Sequence, residues 1–113
     1  MTKGTRPPGK TTVAPDVLLN IASLTALGVE GVSRLSSIVG GMNRLLQKGH
    51  YSDGVRIMIE DKKVSADIHV ILKKDINIRE VSRSVQKEVS RAISEMVGME
   101  VGKINVHIED IDY

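Results

Sequence analysis

Between Val55 and Glu109 the hydrophobic period changes twice, and that succession limits the folds open to the chain. Val55, Ile57 and Ile59 alternate with Arg56, Met58 and Glu60. Val64, Ala66, Ile68, Val70 and Leu72 alternate with Ser65, Asp67, His69 and Ile71. Two runs of period two, joined by Asp61-Lys62-Lys63, predict an antiparallel hairpin over 55–60 and 64–72. The period then becomes helical: Val81, Val85, Val89, Ala92, Ile93 and Met96 form one stripe through 78–97. Asn77 is placed to cap this helix, with Glu80 three residues on and Ile76 able to staple onto Val81. Gly98 stops it, and Met99 is positioned to fold back on Ile93. Ile104, Val106 and Ile108 alternate with Asn105, His107 and Glu109 as a last strand, before the acidic end Asp110 and Asp112. Each strand has one apolar face, so helices are expected on one side of the sheet only. Strand, helix and strand then form a right-handed crossover with parallel strands. The expected fold class is α+β, a two-layer sandwich of a mixed β-sheet with helices on one face.

The first half is less regular. Thr11-Thr12-Val13 is compatible with a short strand. Pro15 suits a first helical position and Asp16 favours the positive end of the helix dipole, so a helix is expected from Pro15, with Ala14 at the cap. Leu18, Ile21, Ala22 and Thr25 mark its inner face, widened by Val17, Leu24 and Leu27; Gly28 is expected to end it as a left-handed cap. Val29-Glu30-Gly31-Val32 reads as a turn into a strand over 32–36. Ile38, Met42, Leu45 and Leu46 suggest a short amphipathic helix, weakened by Gly40-Gly41 at about 1 kcal/mol per Gly relative to Ala. Gly49 and Asp53-Gly54 close this segment with turn chemistry.

Composition narrows the function classes. The 113 residues include no Cys, Trp or Phe and two Tyr. That excludes a disulfide framework, a thiolate zinc site and a cysteine nucleophile. Aromatic platforms for stacking bases are missing as well. No apolar run is long enough to span a membrane as a helix, and MTKGTRPPGK has no apolar signal core. The net charge of +2 is unevenly placed: Lys3, Arg6 and Lys10 put +3 in the first ten residues, leaving 13 basic and 14 acidic side chains in the rest. Residues 1–10, with Pro7, Pro8 and two Gly, are expected to be a disordered basic tail, and 11–113 a single domain.

Several pieces fall in a familiar order and spacing: Val13-Ala14-Pro15-Asp16-Val17-Leu18, Val29-Glu30-Gly31-Val32, Gly54-Val55-Arg56-Ile57, Val85-Gln86, Met96-Val97-Gly98-Met99-Glu100-Val101, and Ile104-Asn105-Val106-His107-Ile108. Over residues 12–110 the chain resembles the alkaline shock protein family of bacterial envelope stress response proteins. Ala14 replaces a capping Ser or Thr, Lys73-Lys74-Asp75 replaces an aromatic-Gly turn, and Val97 replaces Thr. The resemblance implies a small, cytoplasmic, non-enzymatic protein that self-associates and, as in some members of the family, attaches to the inner membrane face through an integral membrane partner. It implies no cofactor and no catalytic residues.

The chemistry-bearing residues agree with that modest expectation. His69 and His107 sit at polar-face positions of strands and read as surface residues; as neighbours they would offer two metal ligands, too few for a site. His50 and Asp53 form a loop pair without a further partner. Gly28-Val29-Glu30-Gly31 matches a nucleic-acid-clamping G-x-x-G in two residues only, and Glu30 stands where phosphate would lie, so a helix stop plus a turn is the simpler reading. Arg79, Arg83, Lys87 and Arg91 follow at i+4 along one ridge, where like charges repel by a few tenths of a kcal/mol. Glu80, Glu88 and Glu95 lie close enough in sequence to compensate them. Arg34, Arg44 and Lys48 make a second basic cluster, in which Arg44 and Lys48 are i,i+4 neighbours opposite Met42, Leu45 and Leu46. The four residues of the ridge together with Arg44, Lys48, Met42, Leu45 and Leu46 are the candidate interaction surface. The expected function is a self-associating scaffold module, with a second copy and a membrane-anchored protein as partners. The alternative is a nucleic-acid or polyanion binder using the tail and the ridge, whose binding would fall steeply with salt.

Overall fold

A computed structural model of the chain describes residues 13–37, 49–52 and 54–113. In chain order the elements are α1 (Pro15–Leu27), β1 (Val32–Leu35), β2 (His50–Ser52), β3 (Val55–Glu60), β4 (Lys63–Lys73), α2 (Ile78–Val97) and β5 (Glu100–Asp112).

β4 organises the sheet. On one edge it pairs antiparallel with β3 over Lys63–Ile68 and, beyond that, with β1 at Val70–Leu72. On the other edge it pairs parallel with β5 along its whole length. β2 adds to the outside of β3. The sheet is therefore mixed, as expected for a hairpin followed by a crossover, and both helices pack on its apolar face. The turn between β3 and β4 is two residues, Asp61 and Lys62, both at positive φ (51° and 67°); this twist suits a tight hairpin, although neither residue is glycine.

α2 matches its sequence signals. The Asn77 side chain accepts from Glu80 N–H at 3.1 Å, and Gly98 takes the left-handed conformation after the last turn. Val81, Val85, Val89 and Ile93 are buried, whereas Met96, expected on the same stripe, is 73% exposed because it overhangs the end of the packed face. α1 begins at Pro15 after Ala14, which makes no side-chain cap bond. Its buried residues are Leu18, Leu19, Ala22 and Ala26, so the inner face is rotated from the expected one; Val17, Leu24 and Leu27 are exposed. A helix that is apolar nearly all round carries too little contrast to show which side faces the core.

Three further expectations change. Gly28 is right-handed (φ −80°), and the positive φ falls at Gly31 (102°). A Cβ on Gly31 would lie 2.6 Å from Val81 Cγ2, so the chain here needs glycine for both φ and space. Of the strand expected over 11–13 only Val13 is described, and it lies in no strand; Thr11 and Thr12 lie outside the described residues. The last strand runs 100–112, longer than the alternation suggests. Register slips between Val64/Ala66 and Val70/Ile71 each insert an extra β5 residue and reset which side chains face inward. The helix expected over 38–48 lies outside the described residues.

The core is aliphatic: Leu18, Ile57, Ile68, Leu72 and Ile93 are its largest fully buried side chains, and no polar or charged side chain is buried among the described residues. Each such Leu or Ile contributes roughly 1.5–3 kcal/mol on leaving water.

Candidate functional site

The two helices cover one face of the sheet, and the other face carries the densest polar cluster. Alternation along the parallel pair β4–β5 puts Asp67, His69, Asn105 and His107 on that face, and His69 and His107 are register partners. Their rings stack with centroids 4.4 Å apart and planes 14° from parallel. Each imidazole meets a carboxylate: His69 Nδ1 lies 2.9 Å from Glu109 Oε2, and His107 Nε2 lies 3.0 Å from Asp67 Oδ1. From β3, Arg56 Nε donates to Asp67 Oδ2 at 2.9 Å, and its Nη2 donates to the same oxygen. Asn105 Nδ2 donates to Asp67 Oδ1 at 3.2 Å. Burial pushes the Asp67 carboxyl up, but the hydrogen bonds from His107, Arg56 and Asn105 and the Arg56 charge outweigh it and hold it below the ordinary carboxylate value.

Asp67 thus ties three strands together through one side chain. The chain did bring the two histidines side by side, as neighbouring strands allow. What the sequence reading missed is the frame around them: Arg56, Asp67, Asn105 and Glu109. The signal was present in the period-two alternation, which puts Asp67 with His69 and Asn105 with His107 on one face; pairing of β4 with β5 was needed to join them. Among the described residues no group of three or more His, Asp or Glu is arranged to hold a metal ion.

A second ionic link crosses β4 at its far end. Arg34 of β1 donates to both carboxylate oxygens of Asp112 at 3.2 Å, and Ser33 Oγ donates to Asp112 Oδ2. The Arg34 and Ser33 hydrogen bonds lower the Asp112 pKa, and Asp112 raises that of Arg34. This bond lies at the surface and pins β1 to the sheet.

The basic ridge occupies a separate surface. Arg79, Arg83, Lys87 and Arg91 are all exposed on α2. At about 100° per residue, Arg83 and Lys87 point some 160° away from Val85 at the centre of the buried stripe. Arg91 pairs with Glu95 at 3.2 Å. Arg79, Arg83 and Lys87 make no ion pair among the described residues, so the expected compensation by Glu80 and Glu88 does not form. Glu80 and Glu88 instead line an open groove of about 610 Å³ between the end of α1 and the start of α2, with Leu24, Glu30, Ile76 and Val81. The Gly28–Gly31 stretch borders that groove and leads into β1, as a helix stop and turn. Arg44, Lys48, Met42, Leu45 and Leu46 lie outside the described residues. No described helix is long and apolar enough to cross a membrane.

Comparison with known proteins agrees with this architecture. Residues 3–113 match the model of the alkaline shock protein 23 family, described as having a cell envelope-related function. The chain belongs to this family. Among curated relatives, the uncharacterised YqhY of Bacillus subtilis (strain 168) is 26% identical over 106 residues, covering 93% of this chain and 78% of the relative. The uncharacterised Spy1535 of Streptococcus pyogenes serotype M6 is 32% identical over 104 residues, covering 91% and 79%. Among solved structures, a MamM CTD variant in its manganese form superposes with a TM-score of 0.52 at 12% identity, covering 86% of this chain and 99% of that one. A zinc form of another variant gives 0.52 at 14%, covering 87% of each. At such identity the likeness concerns the α+β fold, which the family member described here shares.

Proposed function

We propose that this family member is a non-catalytic interaction module of the bacterial cell envelope that self-associates and docks, from the cytoplasmic side, on a membrane-anchored protein. The observation that carries the reading is the ridge of Arg79, Arg83 and Lys87, three exposed cations on one helix that no described carboxylate neutralises. Repulsion along such a ridge costs a few tenths of a kcal/mol per pair, and an acidic partner surface offsets it. The family's cell envelope-related description supplies the setting. Residues 11–113 act as one domain in this reading, with Arg91 at the end of the ridge and Arg44, Lys48, Met42, Leu45 and Leu46 as a further contact segment.

The test is affinity capture from detergent-solubilised native membranes with the wild type and with Arg79, Arg83 and Lys87 all changed to Glu. The wild type is expected to retain an integral membrane protein that the variant loses. Equal retention by both would remove the ridge from the interface. The same ridge supports a second reading, a polyanion binder. There, nucleic acid is retained at low salt and binding falls linearly in log–log terms as salt rises. Absence of nucleic-acid binding at low salt eliminates that reading.

A further inference from the structure

β5 forms an outer edge of the sheet. It pairs with β4 on one side, and among the described residues no strand lies on its other side. Its 13 residues make an edge of about 40 Å. The register fixes which backbone groups face outward. His69 N–H donates to the Gly54 carbonyl, and the His69 carbonyl accepts from Ser36 N–H, so His69 faces the β3/β1 side of β4. Its neighbours Ile68 and Val70 therefore face β5. In a parallel ladder a residue bonds to the two residues flanking its register partner. Ile68 stands opposite Val106, so Asn105 and His107 turn their backbone groups to β4, and Ile104, Val106 and Ile108 turn theirs out. Gln86 agrees with this assignment: its Nε2 reaches from α2 to donate to the Ile104 carbonyl at 3.1 Å.

The outward stretch is symmetric. The two register slips of the β4–β5 pair fall just before Ile104 and just after Ile108, leaving five regular residues centred on Val106. We propose that this edge pairs antiparallel with the same edge of a second copy, about a two-fold axis beside Val106, joining the two sheets into one. Around that axis Ile104 stands opposite Ile108, Asn105 opposite His107, and Lys103 opposite Glu109. Lys103 makes no ion pair among the described residues and gains a carboxylate there. Val106 and Ile108, which α2 leaves half-buried, gain apolar cover on the helix side. A two-fold contact requires a self-complementary surface, and a strand edge with outward backbone groups is a ready template for one; the Ile104 carbonyl, which accepts from Gln86, keeps a second lone pair for the partner strand. The proposal rests on the self-association in the function proposed above and names its contact.

Sedimentation velocity of the full chain across a micromolar range tests it, with Val106→Pro as the blocking variant. Since the Val106 N–H faces outward, proline removes an edge donor and leaves the β4 ladder intact. The wild type is expected to show a concentration-dependent dimer, and Val106→Pro a dissociation constant raised at least about tenfold with an unchanged circular dichroism spectrum. A second variant is independent of that substitution. The native chain has no cysteine, and Val106→Cys places two thiols across the axis at a Cα separation near 5.5 Å, within disulfide range. It should cross-link to a dimer on oxidation, and Arg83→Cys on the ridge should not. Wild-type-like association of folded Val106→Pro, or equal cross-linking of the two cysteine variants, overturns the edge assignment and leaves self-association standing. A wild type that stays monomeric throughout overturns both.

Discussion

Asp67 is the residue on which the polar face depends. It accepts from Arg56, Asn105 and His107, residues of β3 and β5 on either side of its own strand. Asp67→Asn keeps the size but removes the charge that Arg56 faces, and a charged hydrogen bond of this kind is worth about 1.5–3 kcal/mol. The melting temperature should fall accordingly in a calorimetric scan. The pH dependence has a definite sign. The folded pKa of Asp67 is lowered, so its contribution is complete above the unfolded value near 3.9 and fades as pH falls through the folded value. Asp112 is lowered as well and acts in the same direction. Melts recorded from pH 5 downward should therefore show a steeper acid arm in the wild type than in Asp67→Asn. Lys62 is the opposite case, a residue in a conformation it dislikes. It sits at φ 67° in the β3–β4 turn, where an L side chain costs roughly 1–2 kcal/mol that glycine does not incur. Offset by glycine's greater chain entropy, Lys62→Gly should raise stability by about 0.5–1 kcal/mol in urea titration.

At the scale of elements, legibility followed signal length. α2 offered twenty residues with a cap, a stripe and a stop, and all three are where the sequence places them, Met96 excepted. Asn77→Ala should cost about 1 kcal/mol, with the loss confined to the unfolding free energy and the fold retained; chemical denaturation reads it directly. β2 was invisible because His50–Ser52 is too short to show a period, and it exists through pairing with β3. The early part of β5 was hidden by Gly102-Lys103, where the extra residue of the bulge breaks the alternation. Gly28 and Gly31 look equivalent in sequence. Only packing of Gly31 against Val81 distinguishes the one that must be glycine. At an unstrained loop position Gly→Ala stabilises by about 0.4–1 kcal/mol, whereas Gly31→Ala should destabilise by more than about 1 kcal/mol, and Val81→Ala in the same chain should recover part of it by removing the clash. The polar cluster follows the same logic: its members share a face by alternation, but their meeting depends on a parallel pairing across a twenty-residue helix.

At the scale of the whole molecule, a core without Phe or Trp has consequences for how it tolerates change. Branched aliphatics fill the space between one sheet and two helices, and Ile68, at 0% exposure on the central strand, is packed from β3, β5 and the helices together. No large flexible ring stands by to collapse into a void. Ile68→Val should cost about 0.5–1.5 kcal/mol and Ile68→Ala about 2–5 kcal/mol, the second including the cavity left behind. A domain of this size has some 5–15 kcal/mol in total, so Ile68→Ala is expected to lower the melting temperature by on the order of 10 °C or more. The comparison that isolates packing from burial is Ile68→Leu, which keeps the volume and changes only the branch point. Because β-branched side chains are fixed at χ1 and the neighbours are as stiff, this swap should cost measurably, up to about 1.5 kcal/mol. If Ile68→Leu were neutral while Ile68→Ala cost the full amount, the core would be held by apolar burial alone and the absence of aromatics would carry no packing constraint.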